Sequence, residues 1–143
     1  MDQRFLFDTS ILIALVRGER LERLLEMQYQ LLTGGVQHAL STISLGEVLK
    51  LSSRWKWSPR RSAILDGILS DLLILPPDAA IAREYAALAM YSESIGRRLG
   101  QNDCWIAATA RAENLILMTT DRDFDILYPT KLNRIWIDHT KAL

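Results

Sequence analysis

Asp8, Glu47, Asp103 and Asp121 are the residues of this chain best suited to chemistry, because each borders or interrupts an apolar stretch. A carboxylate is costly to desolvate, so it occupies such a place when it is paired, hydrogen-bonded or facing a cation. The four are spread through the whole sequence and share no local cationic partner. Brought together by a fold, they would form an all-oxygen, strongly negative set that suits Mg²⁺ or Mn²⁺ rather than zinc. Ions of that kind activate water and neutralise a phosphodiester in its transition state. Mutual repulsion should then raise the pKa of at least one of the acids in the absence of metal. Each also has a plainer reading, since an Asp at a strand end is a common helix cap or turn former.

The elements that must position these acids can be read from apolar periodicity. Arg4 to Phe7 reads as a strand ending at Asp8, and Thr9 or Ser10 as the cap of a helix from Ile11 to Arg17. Leu21 to Leu32 has helical spacing and stops at Gly34-Gly35, Val36 to Ile43 suits a second strand, and a helix follows from about Ser44 to Trp55. Ser58-Pro59 opens a helix that runs towards Asp71, and Leu72 to Leu75 forms a strand before Pro76-Pro77. A further helix covers about Asp78 to Ser92, and after the Gly96–Gly100 turn region Asn102 is expected to cap a helix to about Glu113. Leu115 to Thr119 and Arg134 to Ile137 are the remaining strands. Strands alternating with helices, some of them apolar throughout, predict an α/β domain with a mostly parallel sheet covered on both faces. In such sheets ligands collect beyond the carboxyl ends of the strands, which is where Asp8 and Asp121 fall. Asp103 would sit in the first turn of its helix, where the helix dipole favours a negative side chain.

Composition narrows the field. The 143 residues suffice for one domain, 1–143, with a proper core, and the apolar half of the chain argues against disorder. Seventeen basic residues balance seventeen acidic ones, so nucleic-acid binding would need a local basic patch rather than a global field. One cysteine, Cys104, excludes an internal disulfide and fits a reducing, cytoplasmic setting. No run approaches the roughly 20 apolar residues of a membrane span, and Asp8 splits the apolar start that might pass for a signal peptide.

Four stretches carry a family resemblance: Phe5-Leu6-Phe7-Asp8-Thr9-Ser10, Thr42-Ile43-Ser44-Leu45-Gly46-Glu47-Val48, Asn102-Asp103-Cys104-Trp105-Ile106-Ala107-Ala108-Thr109-Ala110, and Met118-Thr119-Thr120-Asp121-Arg122-Asp123-Phe124. In this order and spacing the chain resembles a PIN-domain ribonuclease, most like the toxin half of VapBC-type bacterial toxin–antitoxin pairs. The resemblance implies a three-layer α/β/α fold, a Mg²⁺- or Mn²⁺-dependent endoribonuclease, a cognate antitoxin and a homodimer. It places Asp8, Glu47 and Asp103 on the family's acids, with Asp8, Asp103 and Asp121 as metal ligands. Asp121 and Asp123 both lie in the fourth segment; Asp121 is preferred as nearer the strand end, with Asp123 in reserve. A catalytically silent RNA- or protein-binding module and a structure-specific DNA nuclease are the alternatives on the same fold. A phosphatase with Asp8 as nucleophile is disfavoured, because Ser10 stands where a second Asp is needed.

Other residues support the picture less directly. Thr9 and Ser10 are placed to hydrogen-bond Asp8, although capping alone would account for Ser10. Thr120 resembles the family's hydroxyl position near the metal, and Asn102 reads first as a cap. The one local basic cluster, Arg54, Trp55, Lys56, Trp57, Arg60 and Arg61, mixes cations and aromatics as single-stranded RNA would require, and equally suits a protein partner. Arg97 and Arg98 precede Asp103 as a solvated turn or a pocket rim. His38 and His139 lack a ligand partner at metal spacing and read as structural, and Cys104 as a small core residue.

Overall fold

The computed structural model describes residues 3–142. Among them, five strands form one sheet: β1 (Phe5–Phe7), β2 (Ala39–Ser41), β3 (Leu73–Leu75), β4 (Ile116–Thr119) and β5 (Arg134–Trp136). Their order is β3-β2-β1-β4-β5, and all four pairings are parallel. The helices are α1 (Thr9–Arg17), α2 (Arg20–Tyr29), α3 (Thr42–Arg54), α4 (Pro59–Asp71), α5 (Ala79–Ser94) and α6 (Gln101–Ala112). Two 3-10 turns, Arg122–Leu127 and His139–Ala142, follow β4 and β5. The doubly covered parallel sheet expected from the apolar strands is present.

Strand alternation divides the interior. Phe5, Phe7 and Met118 face a core built with α1, α2 and α4, while Leu6 and Leu117 face a second core with α5 and α6. Phe7, Leu6, Ile11, Leu12 and Ile106 are fully buried, and each such side chain contributes roughly 1.5–3 kcal/mol relative to exposure. His38 is part of this architecture. Its Nδ1 accepts the Phe5 N–H at 3.0 Å, its ring lies against Phe5 and Phe7, and burial holds its pKa below the ordinary value. Cys104 is buried in the second core as expected, and burial pushes its thiol up to about 11.

Several boundaries differ from the sequence expectation, each for a local reason. The cap of α1 is Asp8 itself, which accepts the Thr9 N–H, rather than Thr9 or Ser10. The second strand is only Ala39–Ser41, because the Ser41 hydroxyl accepts the Ser44 N–H and starts α3 at Thr42. Gly100, not Asn102, occupies the N-cap of α6, so Asn102 sits inside the first turn with its side chain free to act elsewhere. Helix α4 starts as anticipated, with Ser58 as cap and Pro59 in the first turn.

Candidate active site

The order β3-β2-β1-β4-β5 places β1 and β4 side by side in mid-sheet, with the chain leaving towards β2 on one side and β5 on the other. That reversal point is where a crevice opens beyond the strand ends of a parallel sheet. Asp8 leaves β1 and Asp121 follows β4 at this point, while α3 brings Glu47 and the first turn of α6 brings Asp103. All four expected acids line one cavity of about 820 Å³, together with Thr9, Ser10 and Thr120.

Asp8 is the most deeply set, at 5% exposure. Its Oδ1 accepts the Thr9 N–H at 2.8 Å, and its Oδ2 accepts the hydroxyls of Thr119 at 2.7 Å and Ser10 at 3.2 Å. Burial raises its pKa above the ordinary value against the pull of these three hydrogen bonds, and the Asp121 charge adds to the rise. Glu47 is gripped from two sides. Thr9 Oγ1 donates to its Oε1 at 2.7 Å, and Asn102 Nδ2 donates to its Oε2 at 3.4 Å. Asn102 therefore reaches Glu47 rather than capping α6, and Thr9 holds Glu47 by its hydroxyl and Asp8 by its amide.

Asp103 carries the electrostatic load. Burial, then the charges of Asp8, Asp121, Glu47 and Asp123, push its carboxyl up to about 7. Asp103 is thus, with Asp8, an acid raised as expected, and the neighbouring carboxylates contribute to its rise. Asp103, Asp121 and Asp123 each offer a carboxylate oxygen within 4.8 Å of the others. Three oxygens at that spacing, on a site already strained by like charge, fit a hard divalent cation. Asp8 and Glu47 line the cavity but stand outside this trio, and Asp123 belongs to it beside Asp121.

Thr119 is the residue the sequence reading missed. Its hydroxyl donates to Asp8 and accepts the Asp121 N–H at 2.9 Å, so one buried side chain fixes two acids. Thr120, singled out instead, works through its backbone: its N–H donates to Ser10 Oγ at 3.2 Å and its carbonyl accepts Trp136 Nε1–H at 3.1 Å. Strand alternation was the available signal, since a residue whose hydroxyl meets Asp8 must lie in register with β1, as the Phe7 to Met118 pairing shows. Arg122 and Trp136 also line the cavity, with the guanidinium 4.1 Å from the ring centroid. His139, read as structural, lines it as well. By contrast, Arg54, Trp55, Lys56, Trp57, Arg60 and Arg61 are not part of the cavity wall, and neither are Arg97 and Arg98. Trp55 is 44% exposed and Trp57 half-buried against the first core; Arg17 lies over Trp55 and Arg61 over Trp57.

The chain is thus a five-stranded parallel α/β domain with an acidic crevice at its reversal point. More narrowly, residues 5–128 match the PIN domain family, and the chain belongs to it. It is 32% identical to ribonuclease VapC5 of Mycobacterium tuberculosis over 84% of each chain, and 27% identical to ribonuclease VapC2 of Haemophilus influenzae over 85% of this chain and 90% of that one. Among solved structures, it is similar to VapBC2 from Rickettsia felis bound to a promoter DNA fragment, with a TM-score of 0.78 and 27% identity, covering 95% of this chain and 100% of that one.

Proposed function

We propose that this chain is a divalent-metal-dependent endoribonuclease and the toxin of a toxin–antitoxin pair. The observation that carries the chemistry is the trio of Asp103, Asp121 and Asp123 oxygens within 4.8 Å, set beside Asp8 and Glu47. Support for RNA as substrate comes from the relatives, ribonucleases matched over 84% and 90% of their own length.

Asp8, Asp103 and Asp121 would hold Mg²⁺ or Mn²⁺, with Asp123 within reach of the last two. When bound, the ion supplies Lewis-acid activation of water and charge neutralisation at the phosphodiester. The chain's own residues do the rest. Asp8 is fixed by Thr9, Ser10 and Thr119, so the negative wall of the cleft is set before substrate arrives. Glu47, aimed by Thr9 and Asn102, accepts the proton of the water that attacks phosphorus in line. The phosphorus–oxygen bond to the departing ribose oxygen then breaks, and that oxygen takes up a proton from solvent water. Thr120, through its backbone, braces Ser10 and Trp136 at the floor of the cleft.

An antitoxin partner is supported by VapBC-5 of Mycobacterium tuberculosis, a member of a toxin–antitoxin family with a TM-score of 0.68 and 28% identity to this chain. The cluster around Trp55 and Trp57, including Arg54, Lys56, Arg60 and Arg61, is a surface for that partner or for RNA. A homodimer and a cytoplasmic setting complete the reading; no helix of the described residues is long and apolar enough to cross a membrane.

The test compares the purified chain on single-stranded RNA, tRNA and branched DNA, with EDTA, Mg²⁺ or Mn²⁺. RNA cleavage that appears with the ion and vanishes in Asp103→Asn supports the proposal. Cleavage in EDTA, a preference for branched DNA, or full activity of the variant would sink it.

A further inference from the structure

The acidic cavity poses a problem for a polyanionic substrate. Five carboxylates line it, Asp138 among them, against one arginine, Arg122. Fixed cations must therefore hold the strand on either side of the acids. A second cavity of about 370 Å³ adjoins the first and shares Ser10, Ile13, Thr120 and His139 with it, so the two are continuous. Its walls carry Arg17 and Arg20 against a single acid, Glu19, over an apolar floor of Ile13 and Leu21.

The local fold explains why these two arginines stand together. Arg17 ends α1 and Arg20 begins α2, and between them Gly18 takes φ +66, a left-handed conformation that lets the chain turn within three residues. Both arginines are exposed, and neither is in a salt bridge among the described residues. Arg17 packs its guanidinium 5.4 Å from the Trp55 ring centroid, which orders the side chain while leaving its charge available.

Resting on the RNA-cleaving reading above, we infer that the substrate strand leaves the acidic cleft over Ile13 and that its backbone phosphates are held by Arg17 and Arg20. The two are phosphate-binding residues on the path and take no part in the chemistry at phosphorus. A protein partner could also use arginines. The continuity of this basic cavity with the acidic one favours the strand, because a phosphodiester lying among the acids forces its neighbouring phosphates to the rim.

The experiment uses labelled single-stranded oligouridylate and the full chain carrying Asp103→Asn, so that RNA binds without being cut. Affinity is followed by fluorescence anisotropy across a salt series. Arg17→Glu with Arg20→Glu should weaken binding at least about tenfold and flatten the log K against log salt slope by roughly 1.4, the share of two single-strand phosphate contacts. Arg83→Glu on α5, an exposed charge reversal away from both cavities, should leave binding as it was. Arg17→Lys with Arg20→Lys should restore most of the affinity and the slope, which also shows that the positions tolerate substitution. Equal binding by the Arg17→Glu/Arg20→Glu and Arg83→Glu proteins overturns the path. Unchanged RNA binding with loss of an antitoxin complex overturns it too, and assigns the cavity to protein. Cleavage is scored separately in the wild-type chain, so a loss of RNA binding here stands even if ribonuclease activity is not found.

Discussion

Thr119 Oγ1 donates to Asp8 Oδ2 at 2.7 Å, joining residues 111 positions apart at the centre of the acidic cleft. The same oxygen accepts the Asp121 N–H, so the geometry of two acids depends on one hydroxyl. Thr119→Val keeps the shape and removes both hydrogen bonds. Orphaning a buried polar group costs about 1–3 kcal/mol, and loss of a partner that orients a metal ligand costs roughly 10–100-fold in activity or metal affinity. The expected result is a lower Tm and a fall in kcat of that order, with Thr119→Ser close to wild type in both. If Thr119→Val cleaved at the wild-type rate, the hydroxyl would have no role in the site.

Asp103→Asn should remove at least about a hundredfold of the cleavage rate, because the substitution takes away the charge on which the site converges. The same protein, free of metal at pH 8, should melt above wild type. Deleting a repelled charge contributes stability, and about 1 kcal/mol moves Tm by roughly 4 °C at this size. Opposite movement of activity and stability in one variant is the signature, read by a cleavage assay and a thermal melt. A purely structural Asp103 would lower both together.

The pH dependence follows with a definite sign. The folded pKa of Asp103 is about 7 against an ordinary 3.8, so between these values the folded state binds the extra proton. Stability contributed by this group is therefore present at low pH and is lost as pH rises through about 7. The metal-free protein should unfold more readily at pH 8 than at pH 5.5 as far as Asp103 governs it, and the Asp103→Asn protein should show a flatter profile. Millimolar Mg²⁺ or Mn²⁺ should raise Tm more at pH 8 than at pH 5.5, since a bound cation competes with the proton. A stabilisation by metal independent of pH would mean that these acids do not bind it.

Asp121 and Asp123 can be ranked by substitution. Both offer an oxygen to the trio, but Asp121 lines the cavity, caps the 3-10 turn by accepting the Asp123 N–H at 2.8 Å, and is tied to Thr119. Asp121→Asn should cost about a hundredfold in kcat and Asp123→Asn about tenfold, with the half-saturating Mn²⁺ concentration rising in both. The reverse order would make Asp123 the principal ligand of the pair.

The parts of this site legible in the sequence were those written in residue type and local order. Apolar runs that end in Asp8 and Thr119-Thr120-Asp121 mark strand ends, and a parallel sheet converts strand ends into a crevice. Glu47 and Asp103 stood out by their apolar setting, but a carboxylate on a helix face says nothing by itself about which strand end it will meet; the resemblance of their segments to a family supplied that link. What could not be read was set by three-dimensional register. Thr119 looks like any strand threonine until β1 and β4 are aligned, and Asn102 looks like a cap until Glu47 is placed beside it. Helix starts were misplaced by one or two positions where Asp8, Ser41 and Gly100 competed with their neighbours for the cap. His139 and Trp136 reach the cleft from β5 and the turn after it, an approach that no local pattern encodes.

The long span between Asp8 and Thr119 also bears on synthesis of the protein. β1 pairs with β2 early in the chain, but its other edge waits for β4, and Asp8 lacks its buried hydroxyl until Thr119 arrives. A growing polypeptide therefore carries Asp8 and Glu47 through most of translation before their partners in the cleft, Asp103, Thr119 and Asp121, have been made. The crevice can close only once β4, which begins in roughly the last fifth of the chain, is available to pair with β1.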